Sequence, residues 1–159
     1  MKGKLIALAL IASTVLTAAT AYADGHMQES DIIEVIRQQV AANREALVAE
    51  NLNLTEAESE NFWPVYRRFQ NERAGLVDRR VAILTRFRDE FETLDDATAG
   101  QLLADALRLE DDKLKLREKF LRDFRKVLPE KKVLRYLQIE HKIDTIIDYD
   151  LAQIVPLAE

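Results

Sequence analysis

The chain has 159 residues, a formal net charge of −5, two histidines and no cysteine. The missing cysteine removes disulfides, thiol catalysis, c-type haem attachment and cysteine-based metal sites together. The acidic balance argues against nucleic acid as a partner.

The first residues read as an export signal. Lys2 and Lys4 make a short basic segment, an uncharged apolar run extends from Leu5 to Ala19, and Ala21-Tyr22-Ala23 is an A-x-A cleavage signal. The run is shorter than the roughly eighteen residues that would argue for a membrane span. Residues 1–23 are therefore expected to be removed as a signal peptide. The mature chain then has 136 residues and a net charge of −7. A flexible tail, 24–30, is expected to lead into a single helical domain, 31–155.

The rest of the chain has helical periodicity, and no stretch alternates apolar and polar residues as a half-buried strand would. A first helix is expected over Asp31 to Glu50 behind Ser30 as N-cap, with Ile33, Ile36, Val40 and Leu47 as its apolar positions. Thr55 and Glu58 form a T-x-x-E capping box, so a second helix starts at Glu56 and runs to about Phe91. Phe62, Phe69, Leu76 and Ile83 recur along it every seven residues. Pro64 lies inside this helix, where it lacks an N–H and crowds the carbonyl four residues earlier, so a bend is expected there. Phe62 is in phase with the core stripe. Trp63 is out of phase and becomes a candidate contact residue.

After a break at Thr93-Leu94-Asp95-Asp96, Asp95 is the expected cap of a third helix that runs to about Val127. That helix carries two adjacent stripes, Leu102/Ala106/Leu109/Leu116/Phe120/Phe124 and Leu103/Leu107/Leu114/Leu121/Leu128. Leu128-Pro129 ends it and opens a fourth helix, with Pro129 at the first helical position. Val133, Tyr136, Ile139, Ile143, Ile146, Ile147 and Leu151 form its apolar side.

The expected fold class is thus all-α, with four helices. Two of them exceed thirty residues, or roughly 45–55 Å at 1.5 Å per residue. One arrangement is a bundle with a full core. The other, which the double stripe favours, is a thin, curved, hairpin-like layer that dimerises or leaves apolar surface open; Leu103, Leu107, Leu114 and Leu121, with Trp63, are its candidate contact surface.

A chain of four helices with a Leu-Thr-x-x-Gln box opening one long helix and a related box opening the last resembles the Spy/CpxP family. The first box is Leu54-Thr55-Glu56-Ala57-Glu58, with Glu58 where that family has glutamine. The second falls at Leu128-Pro129-Glu130-Lys131-Lys132 and departs further. "NFWPVYRRFQ" and "VLPEKKVLRYLQIEHKID" look closer to a divergent branch than to the best-known members. The resemblance implies a periplasmic, ATP-independent chaperone-like or envelope-stress accessory protein, dimeric, that binds partly folded envelope proteins or a membrane stress sensor. It also implies a basic rim around the binding face. Arg108 to Arg135 holds eleven basic residues against six acidic ones, and Arg108, Lys113, Lys115, Arg117, Lys119, Arg122, Arg125 and Lys126 are the candidates. The same charges can equally be solvated faces tied by pairs one turn apart.

Enzyme chemistry finds no support in the residues. There is no strand–turn–helix elbow for a serine nucleophile, no phosphate-cradling glycine loop and no pair of Glu-x-x-His motifs for a di-iron site. His141, beside Glu140 and Asp144, reads as a surface histidine. No cofactor is expected, with one alternative. Cleavage after Ala23 would leave Asp24-Gly25-His26 at the new N-terminus, where an amine, two backbone nitrogens and an imidazole can close a square-planar site for Cu(II) or Ni(II).

Overall fold

The computed structural model describes residues 43–158. The chain divides into two units, Met1–Glu45 and Ala46–Glu159, and the second carries the helical core. The expected signal peptide, the tail 24–30 with Asp24, Gly25 and His26, and the start of the first helix lie outside the described residues.

Every long element among the described residues is an α-helix, as expected of an all-α chain. Residues 46–52 are helical (α1). They are followed by α2 (Glu56–Glu90), a 3-10 turn (Phe91–Thr93), α3 (Asp96–Val127) and α4 (Glu130–Ile154).

The local signals act where they were expected. Thr55 Oγ1 accepts from the Glu58 N–H at 3.3 Å, and Glu58 Oε2 accepts from the Thr55 N–H at 2.8 Å, so the capping box is closed in both directions. Asp95 Oδ1 accepts from the Thr98 N–H at 2.8 Å and caps α3. Leu128 is extended at φ −133° and ψ 148°, the conformation a following proline favours. Pro129 turns out to be the N-cap of α4 rather than its first helical residue: its ψ of 148° is extended, while its carbonyl already accepts from the N–H groups of Lys132 and Val133.

Pro64 does not interrupt α2, which is continuous for 35 residues. Both Pro64 and Glu60 are exposed. Water can therefore reach the carbonyl that the proline leaves without a partner, and this keeps the local cost low.

Between α1 and α2 the chain turns on Asn53, whose φ of 53° lies in the left-handed region. Asparagine tolerates that region better than other side chains except glycine. The carbonyls at this turn are met by cations from α4. Arg135 Nε donates to the Asn51 carbonyl at 2.6 Å, and Lys132 Nζ donates to the Asn53 carbonyl at 2.9 Å. Positive groups at a helix C-terminus are favoured by its dipole.

The ion pairs fix helix directions. From α2 to α3 they join Arg68 to Asp123, Glu72 to Lys119 and Arg79 to Asp112. One number rises as the other falls, so the two helices are antiparallel. From α2 to α4 they join Glu58 to Lys132, Arg73 to Asp144 and Arg80 to Asp148, rising together. These two helices are parallel.

The core collects where the four helices meet. Val48 and Leu52 of α1, Phe62, Val65 and Tyr66 of α2, Phe120 and Phe124 of α3, Leu128, and Val133 and Tyr136 of α4 are buried together. The residue of α1 that enters is Val48, whereas Leu47 stays half-buried. Rings of Phe62, Phe124 and Tyr136 lie 4.5 to 5.6 Å apart, distances at which aromatic pairs add to simple burial. Phe124→Ala should lower unfolding stability by about 3–5 kcal/mol. Thr55→Ala, which opens the capping box, should cost about 1 kcal/mol. Urea unfolding followed by far-ultraviolet dichroism measures both, and equal losses would contradict this placement of the core.

Candidate functional site

The two stripes of α3 have different fates. Leu102, Leu109, Phe120 and Phe124 of the first stripe are buried. On the other, Leu103 and Leu107 are each 63% exposed and Leu114 is 51% exposed. Toward the end of α3 the same stripe dips into the core. Leu121 is half-buried against it and Leu128 is buried. The apolar surface left open is thus the part of α3 furthest in sequence from Phe124.

An open groove of about 210 Å³ adjoins this surface. It lies between α2 and α3 and is lined by Arg80, Ile83, Leu84, Ala106, Leu107, Leu109 and Glu110. Leu107 belongs to both the stripe and the groove wall. Stripe and groove therefore form one continuous apolar face, with Arg80 and Glu110 as its charged members.

Trp63 is placed differently from these leucines. It is half-buried, its ring meets Phe62 and Tyr66 edge-on at 5.0 and 5.3 Å, and its Nε1 donates to Ser59 Oγ at 2.8 Å. It lies at the margin of the core, apart from the open leucines.

The candidate rim cations are mostly engaged. Arg108 pairs with Asp105, Lys113 with Glu110 and Lys115 with Asp111, each at 2.6 to 2.7 Å. Lys119 pairs with Glu72, Arg125 with Glu130 and Lys126 with Asp123. Lys119 Nζ also sits 5.2 Å from the Phe120 ring centroid, within cation–π range. The Asp111 hydrogen bond raises the Lys115 pKa above its ordinary value, while Lys126, ahead of Arg68, lowers that of Asp123. Of the eight candidates, Arg117 and Arg122 are the two for which no ion pair is seen among the described residues, and the charge of Arg122 still acts on Asp123. The surplus of positive charge along α3 is accordingly spent largely on its own neighbours and on α2.

The two motif boxes meet in space. Lys132, the fifth residue of the α4 box, pairs with Glu58, the fifth residue of the α2 box. Leu54 packs against the core cluster that includes Leu128. The Lys132 hydrogen bond, then the backbone N–H of Thr55, lowers the Glu58 pKa below the usual glutamate value. Sequence reasoning had no access to this contact, because the partners are 74 positions apart.

His141 is exposed. Among the described residues, no three His, Cys, Asp or Glu side chains converge in a way that could hold a metal ion. No described helix is long and apolar enough to cross a membrane. No protein-family model, curated protein or solved structure matches the chain.

The depressed Glu58 pKa has a definite sign in stability. A carboxylate whose folded pKa lies below its unfolded value stabilises the fold above the unfolded value, about 4.3, and loses that contribution as pH falls through the folded pKa. Glu58→Gln keeps an acceptor for the Thr55 N–H but loses the ion pair. The variant should be less stable than the parent at pH 7, and the gap should close on acidification from pH 5 to pH 3. A gap independent of pH, measured by thermal melts across that range, would assign the loss to packing instead.

Proposed function

We propose that the mature chain is an exported, ATP-independent binding protein that holds partly folded envelope proteins on the apolar face of α3. The observation that carries this reading is the run of Leu103, Leu107 and Leu114, half to two-thirds exposed and continuous with the groove through Leu107. Leucines exposed together on one side of a helix are costly in water unless they have an occupant. A leucine stripe beside an open groove can accept many apolar segments without demanding one sequence, which suits unfolded clients.

In this reading the helices form a thin, curved, hairpin-like layer that pairs with a second copy in the periplasm, as the resemblance to the Spy/CpxP family implies. Its support is the short reach of the core along α2 and α3. The basic rim takes a smaller part than composition suggests. With six of its eight candidates already facing carboxylates, capture rests on apolar contact.

Light scattering of an aggregating client, with and without the mature protein and without nucleotide, tests the proposal. Equimolar protein should delay aggregation. The triple variant Leu103→Ser, Leu107→Ser, Leu114→Ser should lose most of that effect. Its melting temperature should stay close to that of the parent, because exposed side chains contribute little to folding. If the unaltered protein leaves aggregation unchanged, client holding is wrong. The face is then better read as the docking surface for a folded partner, such as the exported domain of a membrane stress sensor.

A further inference from the structure

The last three turns of α4 are attached to α2 by charge rather than by the core. Val133 and Tyr136 are buried, and Ile143 is the last α4 side chain packed against the buried cluster. Beyond it no described side chain of α4 is buried; Ile147 and Leu151 are half-buried, and Ile146 and Tyr149 are exposed.

The acids of this segment are spaced to repel one another. Glu140, Asp144 and Asp148 fall four residues apart, so they line one face of the helix, and like charges at that spacing destabilise it. The last turn contains no basic residue to offset the dipole. What faces the acidic row is a complementary row on α2. Gln70 Nε2 donates to Glu140 at 3.3 Å, Arg73 pairs with Asp144 at 2.5 Å, and Arg80 pairs with Asp148 at 2.6 Å. Docking on α2 therefore gives the first acid of the row a neutral amide donor and the other two a cationic partner each. The outer rung of this ladder is open to solvent, with Asp148 55% and Arg80 31% exposed, and the Arg73–Asp144 rung is 23% and 28% exposed, so salt screens the outer pair first.

We infer that residues 144–154 form a salt-sensitive strap, closed on Arg73 and Arg80 at low ionic strength and released when those pairs are screened. Release exposes Ile147 and Leu151. It also frees Arg80, which lines the groove beside Leu107, so the strap sets how much apolar surface this end of the protein shows. The strap stands on the ladder alone and holds whatever the α3 face binds.

Hydrogen exchange by mass spectrometry on the full mature chain, at 0.05 and 0.5 M sodium chloride, tests it. Amides of 144–154 should exchange faster at high salt, by up to about fivefold for each pair lost, while those of 120–136 keep their protection. Arg73→Gln with Arg80→Gln should show the fast exchange already at low salt and no further response. Arg79→Gln, which breaks only the pair with Asp112 on α3, should behave as the parent. Equal exchange of 144–154 at both salt concentrations, or a salt response that survives in the double variant, would overturn the strap.

Discussion

A triangle of aromatic rings ties the long helices together. Phe62 belongs to α2, Phe124 to α3 and Tyr136 to α4, and the three centroid distances are 5.6, 5.3 and 4.5 Å. Each side of the triangle joins a different pair of helices, so no helix can shift without breaking two contacts. Rings are suited to this, since each presents a large area and a preferred edge-to-face geometry at little cost in rotamer freedom. Tyr66 and Phe69 on α2 and Phe120 on α3 extend the cluster by one or two turns. Val48 and Leu52 close it from α1.

Distance from this triangle explains most of what the rest of the molecule does. Helices of 35 and 32 residues extend about 50 Å, much further than a cluster of ten buried residues can reach. Past it, α2 and α3 bury only Leu102 and Leu109, and the seam is otherwise made of half-buried aliphatics flanked by ion pairs. Exposed ion pairs contribute little each and are screened by salt. They set direction and register, while burial near the triangle supplies the cohesion. The open leucines of α3 and the charge-held end of α4 are two outcomes of one limit: four short stretches of helix meet in a core that the remaining length cannot share.

The features legible in the sequence are those decided within a few residues. The Thr55–Glu58 box, the Asp95 cap and the stop at Leu128-Pro129 each depend on neighbours three or four positions away, and each acts where its motif stands. Periodicity also separated the two stripes of α3 well enough to single out Leu103, Leu107 and Leu114, but it grouped with them Leu121, which packs against the core. It erred by one residue on α1, where Val48 and not Leu47 is buried, because the apolar positions of that helix leave a gap after Val40 across which phase is poorly fixed. Arg108, Lys113 and Lys126 read as a basic rim because their counts were visible and their geometry was not; their partners lie three residues away on the same helix. Lys119 depends on Glu72, 47 positions distant, which no local rule can find. The row Glu140, Asp144, Asp148 was open to sequence reasoning as a signal. Acids four apart on one helix face call for a cationic partner, and Arg73 and Arg80, seven apart on another helix, are spaced to supply it.

The same long-range logic bears on the two motif boxes. Taken singly, Glu58 and Lys132 are each one charged residue in the first turn of a helix. In space they face each other, and the lysine also serves the carbonyl of Asn53 at the left-handed turn between α1 and α2. Both side chains are three-quarters or more shielded from solvent, Lys132 at 25% and Glu58 at 19% exposure. Changing either alone would strand a partly desolvated charge beside a neutral amide, a loss larger than the pair itself contributes. The two residues therefore act as one unit in physical terms. An ionic contact closes the junction where α4 meets the start of α2, one turn from Phe62 and Tyr136 of the triangle on which the fold depends.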